Sequence, residues 1–455
     1  MLDDTIAAIS TPLGEGGLAV VRVSGRDATT VADRCFEPVG RSTRTAEAPS
    51  HTIQYGRVRW QGRVVDEVLV AVLRAPRTFT REDTVEVSCH GGLLPAKLVL
   101  DALLSSGARS AEPGEFTRRA FLNGRIDLAQ AEAVADLIHS RTELALAAAN
   151  EQLAGKLSRR INRLRDDLLL VLAHVEAHLD FPDEDIAPDT YGQLLTRLDD
   201  GLAFMDELLA TANEGQILRR GIRAAIVGRP NVGKSSLLNQ LLGRDRAIVS
   251  PVPGTTRDTI EETANIRGLP VQFIDTAGLR DSGDAVEQEG MRRSREILGR
   301  AELVLHVLDA SEPWTETDRW QLEWSAGVRR LLVLNKSDLP PRIELPSDLA
   351  DHPVTVSCQS GEGLEALKNR LKELVWAGEI RAEMLEVLIN SRHQDALRRA
   401  REAGRLTVEA LRAGVSLDLV AVDLRAAVNA VGEVVGQTTT EDLLDKIFSQ
   451  FCLGK

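Results

Sequence analysis

The chain has 455 residues, 43% hydrophobic and 27% charged, which at roughly 150 residues per domain predicts about three domains, each with its own core. Ordinary glycine and proline content and the lack of an apolar run of about 18 residues exclude collagen-like, disordered and membrane-spanning classes. A net charge of −13 disfavours coating of nucleic acid by bulk charge but permits a local basic surface.

Residues 1 to about 118 read as mixed α/β, with β-rich runs at Leu18 to Val23, Val64 to Leu73 and Thr84 to Ser88 separated by Gly, Pro and Thr turns. Asp3 and Asp4 stand where a secretory leader would be positive. From Ile126 to Asn213 the period becomes helical: Ile161, Leu164, Leu168, Val171, Val175 and Leu179 recur every three or four residues, with Pro182 and Pro188 breaking the pattern in an acidic loop. At Arg223 it changes again. Apolar runs at Ala224 to Val227, Val271 to Ile274, Leu303 to Leu308, Leu331 to Leu334 and Val354 to Val356 alternate with helix-like segments, which predicts a doubly wound parallel sheet. Helical periodicity returns from 380 to 450, at Leu385, Leu388, Leu417, Val420, Leu424, Val428 and Val431. The reading is therefore an N-terminal α/β domain (1–118), a helical domain in two segments (119–215 and 379–455), and an α/β module (216–378) inserted between them. Cys35, Cys89, Cys358 and Cys452 are too scattered for a disulfide framework or a CxxC metal site, which fits a reducing, cytoplasmic setting.

The inserted module carries the chemistry. Gly228-Arg229-Pro230-Asn231-Val232-Gly233-Lys234-Ser235 fits the phosphate-binding pattern GxxxxGKS, with a strand before it and an apolar helix from about Ser236 after it. Its glycines let successive N–H groups face a phosphate, Lys234 reaches the β/γ oxygens, and the Ser235 hydroxyl ligates magnesium. Asp275-Thr276-Ala277-Gly278 ends the next strand and serves the magnesium shell and the γ-phosphate. Between them Gly254-Thr255-Thr256-Arg257-Asp258 is a switch loop, with Thr256 joining magnesium. Asn335-Lys336-Ser337-Asp338 selects guanine, because the Asp338 carboxylate accepts from both N1–H and the exocyclic amine, and Ser357-Cys358-Gln359 completes the base pocket. Ras-type GTPases carry a water-positioning glutamine after this second motif, whereas Leu279 stands here. Glu287 is the carboxylate nominated to orient the water. A monovalent cation, potassium, would neutralise developing phosphate charge, with oxygens from Asn231 and from the loop of Ser250, Val252 and Thr255 as its ligands.

These motifs, together with Pro113-Gly114-Glu115-Phe116-Thr117-Arg118-Arg119-Ala120-Phe121-Leu122-Asn123, Leu128-Ala129-Gln130-Ala131-Glu132-Ala133 and the tail Phe451-Cys452-Leu453-Gly454-Lys455, give the chain a close resemblance to the MnmE (TrmE) family of tRNA-modification GTPases. The resemblance implies a folate-binding, dimerising N-terminal domain, a helical domain and an inserted G domain. It also implies a homodimer acting with an FAD-carrying flavoprotein, MnmG, to place an aminomethyl or carboxymethylaminomethyl group on carbon five of the wobble uridine of certain tRNAs. The one-carbon unit would come from a 5-formyl- or methylene-tetrahydrofolate. By position, Arg22, Glu86, Arg125 and Lys455 match the family's folate contacts. Read without the resemblance, Arg22 and Glu86 are edge-strand surface charges.

Cys452 is either a nucleophile or RNA-facing thiol, or a buried cap on the helical domain. Basic stretches at Ser158 to Arg165 and Arg392 to Arg405 are either tRNA phosphate contacts or solvated helix faces. The competing function is a ribosome-assembly GTPase switch, which shares the G motifs but gives the tail no role.

Overall fold

The computed structural model describes residues 4–180, 188–243, 262–274, 299–325, 327–346, 349, 353–376 and 385–455. The chain divides into two compact units, one of residues 1–135, 152–205 and 395–455, the other of 136–151 and 206–394.

In the first unit β1 (Ile6–Ile9), β2 (Leu18–Ser24), α1 (Ala28–Cys35), β3 (Phe36–Pro38), β4 (Thr52–Trp60), β5 (Arg63–Leu73), β6 (Thr84–His90), α2 (Leu93–Ser105) and β7 (Arg109–Ser110) build a sheet of order β3-β4-β5-β6-β2-β1-β7. Alternation sets its faces: Ala19, Val21 and Val23 of β2 and Val85, Val87 and Cys89 of β6 are buried with residues of α1 and α2. The intervening Arg22 and Glu86 point the other way and are direct cross-strand partners. Both strands are interior to the sheet, so the edge-strand reading of these two charges is wrong. Their surface position comes from the pleat.

After α3 (Glu115–Leu122) and α4 (Leu128–His139) come α5 (Glu143–Leu153), α6 (Lys156–Asp180), α7 (Pro188–Ala210) and α8 (Ala212–Arg220). The predicted α6 stripe of Ile161, Leu164, Leu168, Val171 and Val175 is buried, while Leu179, near the helix end, is exposed.

The second unit holds β8 (Ile222–Val227), α9 (Lys234–Gly243), β9 (Glu262–Ile266), β10 (Leu269–Phe273), β11 (Leu303–Asp309), α10 (Glu316–Trp324), β12 (Arg329–Asn335), β13 (Val354–Thr355) and α11 (Leu364–Val375). Its sheet runs β13-β12-β11-β8-β10-β9, parallel except that β9 is antiparallel to β10. Arg267 and Gly268, both with positive φ (54° and 90°), close that hairpin in the two-residue turn that matches strand twist. Every residue of β11 is buried, as a central parallel strand covered on both faces requires. Residues 136–151 cluster with this unit: Ala148 and Leu144 of α5 pack into its core and Arg141 donates to Thr263 Oγ1 at 2.6 Å.

The last helices are α12 (Ser391–Arg412), α13 (Leu417–Val435) and α14 (Glu441–Phe448). In the first unit α13 packs along α6, with Val420, Leu424, Val428 and Val431 buried and Arg425 paired to Glu176 at 2.7 Å. The two helical stretches thus share one core although the nucleotide-binding segment separates them in sequence.

A partly buried ion network anchors α3. Arg119, its side chain fully enclosed, donates to Asp4 Oδ1 at 2.7 Å, Glu115 Oε1 at 2.9 Å and the Asp4 carbonyl at 2.9 Å, and lies 3.3 Å from Glu82. Arg109 bridges Asp4 and Glu115 from the other side at 2.6 and 2.7 Å. Burial would raise both carboxyls, yet the hydrogen bonds from the two guanidinium groups hold Asp4 and Glu115 below their ordinary values. Arg119→Met leaves Asp4 and Glu115 with Arg109 as their remaining cation, and urea unfolding of the first unit should show a loss of about 1–3 kcal/mol. Because the folded pKa values are depressed, the network's contribution is present above the unfolded carboxyl pKa and is lost as pH falls through the folded values. The variant should be correspondingly less acid-sensitive below pH of about 4, and wild-type stability in it would remove the network from the account.

Candidate nucleotide site and tail site

The phosphate loop leaves the C-terminal end of β8 and enters α9, the place where an open parallel sheet presents its ligands. Lys234 Nζ donates to the Gly228 and Arg229 carbonyls at 2.9 and 2.7 Å, which folds the side chain back over the loop, and burial lowers its pKa. Asn231 is exposed with φ 65°, and Ser236 is exposed on the first turn of α9. Ser235 directly follows Lys234 at the start of α9.

Asn335, buried at the end of β12, staples the pocket. Its Nδ2 donates to the Val232 carbonyl at 2.8 Å and its Oδ1 accepts from the Cys358 N–H at 3.2 Å. Gly233 is required at this approach: its φ is 97° and a Cβ there would lie 2.1 Å from Asn335 Nδ2. Asp338 is exposed, with Oδ1 accepting from Ser357 Oγ at 2.6 Å, while Gln240 Nε2 donates to the Cys358 carbonyl at 2.8 Å. Gln359 is exposed beside them. Burial, with the nearby Asp338 charge, pushes the Cys358 thiol up to about 11, against a reactive role. Sequence reasoning missed Asp309, whose buried carboxylate pairs with Lys336 at 2.5 Å, and Asp318, whose buried carboxylate accepts from Arg229 Nε at 2.9 Å. The signal for Asp309 was its position as the polar residue closing the apolar run Leu303 to Leu308, while its place beside Asn335 is set by the parallel register. The expected contacts at Ser250, Val252, Thr255, Thr256, Asp275, Thr276, Ala277, Gly278 and Glu287 fall outside the described residues.

A second site forms in the first unit. Arg22 Nε donates to Glu86 Oε1 at 2.8 Å, and its guanidinium carbon lies 5.7 Å from the Phe116 ring centroid. The chain end joins them: the Phe116 N–H donates to the Lys455 carbonyl oxygen at 3.2 Å and the Gly114 N–H to the Cys452 carbonyl at 3.4 Å. Gly454 (φ 85°) passes so close to β1 that a Cβ would lie 2.4 Å from the Ile9 carbonyl. Burial first, then the neighbouring Arg22 charge, lowers the Lys455 pKa against smaller opposing effects of Cys452 and Glu86. Arg125 stands one ring away, over Phe79 at 5.6 Å with Nη1 bonded to the Thr78 carbonyl, and Phe79 packs against the cluster containing Phe116. Phe79 and Phe116 carried no separate signal: each stands alone among Thr, Arg or Glu residues, and Phe116 entered only as part of the Pro113 to Asn123 motif.

Cys452 is exposed, so the buried-cap reading is wrong: Phe448 and Phe451 fill the core with Leu128 and Phe121, and the thiol faces outward. On the Arg392–Arg405 face Arg399 pairs with Glu433 at 2.6 Å and Arg405 with Glu402 at 2.7 Å, so part of its charge is neutralised internally.

Fold and pocket together define a P-loop GTPase. Residues 5–125 match the family described as "GTP-binding protein TrmE N-terminus" and residues 128–452 the "MnmE helical domain". The chain is 48% identical to the tRNA modification GTPase MnmE of Geobacillus kaustophilus over 99% of both chains, and 49% identical to that of Chloroflexus aurantiacus over 100% of both. The G domain of the T. maritima FeoB iron transporter is 30% identical over 34% of this chain and 98% of its own, with a TM-score of 0.26. The chain belongs to the MnmE family of tRNA modification GTPases.

The cysteines offer a direct check on this geometry. Cys35 and Cys89 are buried with thiols pushed up to about 11, as at Cys358, whereas Cys452 is exposed. Brief maleimide treatment at neutral pH should label Cys452 first, read by peptide mass spectrometry, and preferential labelling of Cys358 would contradict the arrangement.

Proposed function

We propose that this GTP-hydrolysing tRNA modification enzyme acts on carbon five of a wobble uridine, drawing its one-carbon unit from a tetrahydrofolate held on the outer face of the N-terminal sheet. The observation that carries this reading is the convergence of Arg22, Glu86, Phe116 and the chain-terminal Lys455. Their chemistry fits such a cofactor: a carboxylate for the pterin amino group and ring N–H, cations for the glutamate carboxylates, and an aromatic face. Arg125, bonded to Thr78 and stacked over Phe79, serves the outer rim. Bound folate supplies the carbon at the formyl or methylene oxidation level. The exposed Cys452 thiol lies three residues from Lys455 and is the chain's available nucleophile at this site.

At the nucleotide site Lys234 would turn from the Gly228 and Arg229 carbonyls to the β/γ-phosphates, and Ser235 with Thr256 would hold magnesium. Asp338 would accept from guanine. Asn231, exposed in the loop, suits a potassium ligand, with Ser250, Val252 and Thr255 as the others. Glu287 is the proposed water-orienting base, in place of the glutamine that Leu279 replaces. A homodimer and an FAD-bearing MnmG-like partner complete the reading. Among the described residues no helix is long and apolar enough to cross a membrane.

Removing residues 452–455 should weaken 5-formyltetrahydrofolate binding at least about tenfold, through loss of a charged contact and of the tail's hydrogen bonds, with GTP affinity unchanged. In cells carrying only the truncated chain, mass spectrometry should find unmodified wobble uridine. Equal folate affinity would defeat the site assignment, and normally modified tRNA would defeat the coupling.

A further inference from the structure

Asp309 has a cost that its local structure does not explain. Its side chain is 2% exposed, and one oxygen accepts from the Ser311 N–H at 2.9 Å and Ser311 Oγ at 2.6 Å. That turn needs only an acceptor, which an asparagine would supply without the several kcal/mol that burying a carboxylate costs. The charge is used by the other oxygen, 2.5 Å from Lys336 Nζ. Burial would raise the Asp309 pKa, yet the Lys336 and Ser311 bonds hold it below its ordinary value.

Lys336 is held unusually as well. Its φ is 65°, in the left-handed region that costs a side-chain-bearing residue about 1–2 kcal/mol. The backbone on both sides is tied: Ala310 N–H donates to the Asn335 carbonyl at 2.9 Å and Ser337 N–H to the Val356 carbonyl at 3.1 Å. This kink lets Asn335 turn inward to the phosphate loop while Asp338 reaches Ser357, leaving Lys336 between the two groups that define the base pocket. From there its side chain runs to Asp309 on the neighbouring strand.

We propose that Asp309 is a positioning residue for the nucleotide: it grips the Lys336 ammonium and thereby fixes the lysine's methylene stem as one wall of the guanine slot. A methylene wall packs on the flat face of a purine and does not read its edge. Asp309 therefore sets how tightly a purine is held, and Asp338 sets which purine. The proposal rests on the assignment of residues 335–338 to the guanine pocket.

The test is a binding series on the full chain with GTP, ITP and XTP. Asp309→Asn keeps the Ser311 acceptor and removes the grip. It should weaken GTP and ITP by the same factor, about five- to twentyfold, the scale of one packed face and one charged hydrogen bond. KM for GTP should rise by more than kcat falls. Lys336→Ala should show the same uniform loss, and adding Asp309→Asn to it should cost at most about twofold more, because the grip is already gone. Asp338→Asn, run alongside, should shift preference toward XTP. If it does not, the pocket assignment fails. If it does, three results overturn the Asp309 proposal: GTP affinity within twofold of wild type in Asp309→Asn, a loss that differs between GTP and ITP, or fully additive losses in the double variant. Should Asp309→Asn fail to fold, Lys336→Ala decides alone, with unaltered GTP affinity contradicting the proposal.

Discussion

Three loops from separate strands meet at a single side-chain amide. Asn335 gives its NH2 to the phosphate loop and takes an N–H from the segment after β13, so the spacing between the phosphate cradle and the base pocket is set by two hydrogen bonds inside a buried group. The bond to the Val232 carbonyl is buried and that to the Cys358 N–H partly so, and an enclosed polar group left without a partner costs about 1–3 kcal/mol. Gly233 follows as a necessity, since any side chain there would collide with the amide. The parallel register then places Asp309 beside Asn335, and Asp309 in turn holds Lys336.

The tail site follows another logic. Antiparallel register makes Arg22 and Glu86 opposite neighbours on the face away from α1 and α2. Phe448 and Phe451 bury themselves with Leu128 and Phe121, so the last four residues arrive at β1 and α3 already constrained. The carbonyl oxygen of Lys455 accepts from the Phe116 N–H near the start of α3, satisfying one of the donors that a helix start leaves unpaired. The Arg119 network fixes that helix end against Asp4 and the segment carrying Glu82.

Much of this was legible in the chain. Continuous apolar runs ending in Asn or in a glycine-rich turn marked the parallel strands and the nucleotide loop, because burial on both faces and phosphate binding each impose a composition. Long-range pairing was less legible. Nothing local to Arg22 shows that Glu86 will face it, and the charges read as an edge because alternation does not reveal strand order. β9 was missed although Arg267-Gly268 is a hairpin turn, since Glu262–Ile266 lacks the strong apolar bias of its neighbours. The attachment of residues 136–151 to the nucleotide-binding unit depends on the packing of Ala148 and Leu144, which helical periodicity alone does not assign to either core. Cys452 was open to two readings because one residue decides it: Phe451 takes the buried position, and the thiol turns outward.

The Asn335 amide holds the nucleotide site together. Asn335→Ala removes both hydrogen bonds without adding bulk against the phosphate loop, so its GTP affinity, measured by titration beside a far-UV circular dichroism spectrum, reports their loss. A native spectrum with GTP binding weakened about tenfold or more is the expected result, from two stranded backbone groups. Affinity within twofold of wild type would contradict it.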